Sequence, residues 1–450
     1  MRRATPQLGA LRNAALAIVF CREHDPENWW RLGACRACWA SMIFRKLVLL
    51  FGIVASAWAA RAAAEDWPQF RGPTGQGHSG ETGLPVRWTA TEGVAWSAAI
   101  PGRGWSSPVV KGGRVWLTTA LDGGKSLRAI CRDTADGSAI HDVEVFQSEN
   151  PGSIHSKNSH ASPTPVLEDD RAYVHFGAHG TACVDAAGKV VWRAEQRYAH
   201  RHGPAGSPVL YRDLLILSCD GTDVQYVVAL DKATGKVRWR TDRTGPMAYS
   251  TPLVVRVEGV DQLVSPGGRT FAAYEPASGA EIWRCNHGGY SVVPRPVEGA
   301  GILFLVTGFD ESELFAVRPG RGDVTATNIA WTLKRAVPHN PSPLFDAGSL
   351  YIVSDAGVAT ALDATTGKQR WQKRIGGSFS ASPVLADGMI YFLDEDGTTT
   401  VIAAGGEYRE LAKNELGERS LASMAVSGGS LYIRTEGRLY RITGRGSRKS

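Results

Sequence analysis

Short apolar runs separated by polar turns recur along most of the chain. Leu214-Leu215-Ile216-Leu217, Leu350-Tyr351-Ile352-Val353 and Met389-Ile390-Tyr391-Phe392 are brief and rich in branched and aromatic side chains, as buried strands are. A Ser/Thr-Pro-apolar motif precedes such runs: Ser107-Pro108-Val109, Thr164-Pro165-Val166, Ser207-Pro208-Val209, Thr251-Pro252-Leu253, Ser342-Pro343-Leu344 and Ser382-Pro383-Val384. Arg295-Pro296-Val297 is a variant copy and Ser423-Met424-Ala425 a degenerate eighth. Successive copies lie 57, 43, 44, 44, 47, 40 and 41 residues apart. A period in the low forties marks a repeat architecture, either propeller blades or helical pairs.

The content of each repeat chooses between them. After the second run comes a third, as at Val227-Val228-Ala229-Leu230, then a turn and a strand carrying Trp: Asp231-Lys-Ala-Thr-Gly235-Lys-Val-Arg-Trp239. The pattern returns with Trp192, Trp283 and Trp371. The Asp opens the turn by accepting backbone N–H bonds and the Gly takes the left-handed position. No window longer than about ten residues has helical periodicity. Four strands per repeat and eight repeats predict an all-β, eight-bladed β-propeller, with seven blades as the alternative. Trp96, Trp192, Trp239, Trp283, Trp331 and Trp371 are read as blade-packing residues. The last repeat ends without a Trp strand, and Val94-Ala95-Trp96-Ser97 supplies one. The N-terminal strand should therefore complete the last blade and leave no open sheet edge.

Composition changes this picture only at the ends. The formal charge is +6, but nine of the 50 Lys/Arg and three of the 44 Asp/Glu fall in residues 1–64. The remainder is neutral, which argues against a nucleic-acid surface. Residues 42–64 have a basic start, an apolar run Leu47–Ala60 and Ala62-Ala63-Ala64, the layout of a signal peptide cleaved near Ala64. The run is shorter than a membrane span, so no stable span is expected after cleavage. Residues 1–41 then read as an extension upstream of the true start at Met42, residues 65–443 as the propeller and 444–450 as a basic tail. A periplasmic or extracellular location follows. Cys131, Cys183, Cys219 and Cys285 lie in apolar settings and are expected as buried thiols.

The Asp-x-x-Thr-Gly-Lys-x-x-Trp repeat with Ser-Pro-Val resembles the pyrroloquinoline-quinone-like (PQQ-like) propeller family. That family includes quinoprotein dehydrogenases and the periplasmic outer-membrane assembly factor B. Trp67-Pro-Gln-Phe-Arg-Gly-Pro73 is similar to the N-terminal segment of many of its secreted bacterial members. The resemblance spans roughly residues 65–443. It implies either a binding module or PQQ held on the axis with calcium beneath a pair of adjacent cysteines. This chain has no adjacent cysteines. The expectation is therefore a module without cofactor or catalytic residues, with PQQ and calcium as the alternative.

Candidate chemistry lies in loops that a propeller opens on one face. His155-Ser-Lys157-Asn158-Ser-His160, His179, His200-Arg201-His202, and Asp220 with Asp223 fall in such loops of neighbouring repeats, and His287 and His339 in others. Imidazoles with carboxylates suit a transition metal; imidazoles with Lys157 and Arg201 suit a carboxylate or phosphate. The same residues also serve simply to satisfy turn backbones, and no fixed ligand spacing chooses among these readings. Asp394-Glu395-Asp396 and Asp310-Glu311 read as solvated acidic tips. The expected partner is a protein or a small anionic ligand, bound by a monomer.

Overall fold

The computed structural model describes residues 64–444. The extension at 1–41, the leader apart from Ala64, and the tail beyond residue 444 lie outside the described residues. Eight antiparallel blades follow one another along the chain, settling the count at eight rather than seven. Blade 3 is representative: Val209–Tyr211, Leu214–Asp220, Gln225–Asp231 and Val237–Arg243, ordered from the axis outward. Blade 8 joins Ala425–Ser427, Ser430–Arg434 and Arg438–Ile442 to Val94–Ala99, with Ser97 opposite Tyr440. The N-terminal strand therefore closes the ring as its sequence requires.

The Ser/Thr-Pro motif stitches blades together near the axis. The Ser107 N–H donates to Thr164 Oγ1, Thr164 N–H to Ser207 Oγ, and Ser207 N–H to Thr251 Oγ1. Arg295 N–H donates to Ser342 Oγ, Ser342 N–H to Ser382 Oγ, and Ser382 N–H to Ser423 Oγ. Each bond satisfies a buried amide and contributes about 1 kcal/mol. The pattern lapses at two seams, and an arginine occupies each. Arg295 donates from Nε to Pro252 O, and Arg434 donates from Nη1 to Ser106 and Thr118 oxygens, tying blade 8 to blade 1.

The outer strands join neighbours differently. Trp192, Trp239 and Trp331 donate their indole N–H to the turn of the following blade, at Lys232, Pro276 and Ala364. The glycine of that turn lies against the indole: a Cβ on Gly235 would sit 2.6 Å from Trp192. The strand pairing skips one residue just before each Trp, a bulge that aims the ring toward the next blade. Blade 1 has no Trp there. His141 takes the position, against Gly188 and within 2.9 Å of Ala186 O, which the sequence pattern alone did not reveal.

Residues 64–90 run beneath the ring as a strap. Trp67 pairs with Val110 of blade 1, Pro68 O accepts from Leu167 of blade 2, and His78–Ser79 adds a parallel strand to the inner edge of blade 7. Trp67 is fully buried. Cys131, Cys183, Cys219 and Cys285, the cysteines among the described residues, are free and buried. Among the described residues, no helix is long and apolar enough to cross a membrane.

Candidate functional site

Every loop leading from an outer strand to the next inner strand contributes to one axial funnel of about 540 Å³. Trp105 enters between blades 8 and 1, and Tyr249 between blades 3 and 4. Tyr290 enters between blades 4 and 5, His339 and Asn340 between 5 and 6. Of the other residues marked by sequence, His155, Lys157, Asn158, Arg201 and His202 line it. They come from the loops on either side of blade 2. The first of these loops accounts for the 57-residue step.

Backbone bonds join the two loops. His155 N–H donates to His202 O at 3.1 Å, and Asn158 Nδ2 donates to the same oxygen at 2.7 Å. The two imidazoles meet edge to face at 5.6 Å, and His202 leans on Tyr249. Burial, with His155 and Arg201 alongside, holds His202 below the usual histidine range. Lys157 reaches across the mouth to Glu395 Oε1 at 2.8 Å, which also accepts from Ser380 Oγ. On the opposite side, Phe309 is 60% exposed and packs edge-on to Tyr290.

Other marked residues are placed elsewhere. His160, His179 and His200 pack on one another behind the wall, with rings 6.4 and 6.3 Å apart. Asp220 is buried and bonded through both oxygens by Arg243, between blades 3 and 4. Asp223 caps the backbone N–H groups of Ala199 and Val224. His287 stacks on Phe271. The Asp394-Glu395 tip is buried rather than solvated, because Asp394 accepts from its own turn and Glu395 from Lys157 and Ser380. Among the described residues, no group of three or more His, Cys, Asp or Glu is arranged to hold a metal. The aromatic residues Trp105, Tyr249, Tyr290 and Phe309 escaped the sequence reading because no local motif marks them.

Below its mouth the funnel narrows to a throat of about 100 Å³, ringed by the Ser/Thr-Pro hydroxyls and lined at its base by Phe70 of the strap. Arg295 holds that strap, donating from Nη1 to Phe70 O at 2.5 Å.

Eight four-stranded blades around an axial funnel define a PQQ-type β-propeller. The chain belongs to the family described as outer membrane protein assembly factor BamB, whose model matches residues 79–222, 181–330 and 267–449. It is 25% identical over 222 residues to the assembly factor BamB of Yersinia pestis, covering 47% of this chain and 55% of that protein. It is 26% identical over 165 residues to the tetrathionate hydrolase of Acidithiobacillus ferrooxidans, covering 37% of this chain and 28% of that one. The chain thus spans about half or less of these curated relatives. The quinohemoprotein alcohol dehydrogenase of Comamonas testosteroni superposes with a TM-score of 0.61 over 87% of this chain and 82% of its own, at 13% identity. That likeness is one of fold alone.

Proposed function

We propose that this chain is a periplasmic or secreted interaction module that engages a partner protein through an acidic segment at the funnel mouth. The observation that carries the reading is the lining itself. It contains Lys157, Arg201 and three imidazoles beside four aromatic rings, and no Asp or Glu. Lys157 is occupied by Glu395, whereas Arg201 has no carboxylate partner among the described residues. A cation beside exposed aromatic surface suits a peptide carrying both a carboxylate and a ring. The Yersinia relative is named an assembly factor, a role that requires contact with other proteins. Its outer-membrane name and the leader at 42–64 support the location.

The residues present do not fit a quinone with calcium. Calcium takes about six to eight oxygen ligands, carboxylates among them. The carboxylates that meet lining residues, Glu395 and Asp355, are already bonded to Lys157 and Ser380 and to His339 and Asn340. No redox step is derived for this funnel.

Calorimetry with short peptides tests the reading. Peptides pairing Asp or Glu with Tyr or Phe should bind, and their Lys/Arg counterparts should not. Arg201→Glu should weaken binding at least about tenfold, since a charge-assisted bond is worth ~1.5–3 kcal/mol. Equal binding of both peptide sets, or an unchanged affinity in the variant, removes it.

A further inference from the structure

Three arginines sit fully inside the propeller without a counter-charge. Arg71 and Arg434 are 1% and 0% exposed, Arg295 is 2% exposed, and none makes an ion pair with a carboxylate. Arg71 donates from Nη2 to Pro343 O, while its Nε and Nη1 find no partner. Arg434 leaves Nε and Nη2 unpartnered. Burial alone depresses Arg295 and Arg434 to about 9; burial and then the neighbouring Arg295 do the same for Arg71. Three buried positive charges without an ion-paired carboxylate are costly unless something else offsets them.

All three bond to the ring that surrounds the throat. Arg71 meets Pro343 beside Ser342, Arg295 meets Pro252 beside Thr251, and Arg434 meets Ser106 beside Ser107. The ring hydroxyls are themselves polarised in one sense. Thr164, Ser207, Thr251, Ser342 and Ser423 each accept a backbone N–H through their oxygen. That leaves each hydroxyl proton to donate, and all five side chains line the throat. The space between this ring and Phe70, about 100 Å³, has room for one small ion or a few waters. We infer that the throat binds a small inorganic anion of halide size, held by converging hydroxyl donors in the field of Arg71, Arg295 and Arg434. The hydroxyls make the contacts, and the guanidinium charges act through a medium that screens them little.

The throat lies below the peptide surface proposed above and shares Trp105 and Tyr249 with it, but it rests on different groups, the hydroxyls and the buried arginines, and is tested by a different ligand. Crystals of the full chain soaked in sodium bromide provide the direct test. An anomalous peak is expected in the throat, between Phe70 and the hydroxyl ring. In solution, bromide should raise the melting temperature saturably against gluconate at matched ionic strength, gluconate being too large for the throat. Arg295→Ser restores the repeat's usual residue and removes one charge. It should weaken the bromide response about tenfold, the effect of roughly 1.4 kcal/mol. An ordered throat without an anomalous peak overturns the inference. So does a bromide response that is linear or equal to that of gluconate. Should Arg295→Ser not fold, the map and the wild-type titration still decide.

Discussion

Imidazoles buried against one another carry a cost that depends on pH. His200 has no partner on either ring nitrogen, and burial with His179 and His160 nearby holds it at about 4. His175, wholly buried beside Thr181 and Tyr198, is held at about 3 by burial and then by His200. Unfolded histidines take up a proton near 6.5. Between that value and about 4 the unfolded chain binds more protons than the folded one, so stability falls as pH falls through this window. His200 alone accounts for up to about 3 kcal/mol of the loss. Urea midpoints at pH 7.5, 6 and 4.5 should show a steep decline, and His200→Gln should flatten it; parallel profiles would refute the assignment. The sequence marked His160, His179 and His200 as loop residues and passed over His175, which ends the strand Arg171–His175. Which turn into the funnel and which pack behind it depends on side-chain direction within loops, and no periodicity encodes that.

At the scale of elements, the repeat motif is a set of contacts between neighbouring blades. The turn glycine of one blade faces the Trp of the blade before it, which is why the two recur together. Gly235 and Gly348 both adopt positive φ, near +73° and +77°. Only Gly235 lies against a ring; nothing is within 4 Å of a Cβ at Gly348. Gly348→Ala should therefore cost about 1–2 kcal/mol of backbone strain. Gly235→Ala should cost a further 1–3 or so from overpacking. Equal thermal shifts would mean that the ring moves aside freely. Likewise Ser207→Ala strands the buried Thr164 N–H and should destabilise by about 1–3 kcal/mol, measured by denaturant unfolding. These motifs were legible because each blade solves one local problem with one short pattern. His141 escaped because its blade solves the same problem with a different ring.

Closure belongs to the whole molecule. The strand Val94–Ala99 and the strap beneath the ring bind chain ends that are far apart in sequence: Trp88 N–H donates to Asn414 Oδ1, and Glu81 accepts from Gly428 and Gly429. A chain starting at residue 101 should lose its cooperative unfolding transition and associate through the exposed strands of blades 8 and 1. Light scattering and calorimetry check this; a monomer with an intact transition would show closure to be dispensable. A chain starting at residue 92 keeps the closing strand and loses the strap. It should remain a ring with a lower melting temperature, since Trp67 and Trp88 leave the core.

Strand positions, the propeller repeat and the closing strand follow from sequence, because alternation, turn residues and a forty-residue period are repeated local signals; the degenerate eighth copy left the blade count to the structure. The funnel does not follow. Each wall residue comes from a different loop, one or two per repeat, and only the ring brings Trp105, Tyr249 and Phe309 into the company of His155 and Arg201. The throat is further still from sequence. Its hydroxyls read as a strand-entry motif, Arg295 as a variant copy of that motif and Arg71 as part of an N-terminal segment, while Arg434 carries no mark at all. Their common charge becomes visible only where eight blades converge and shut out water.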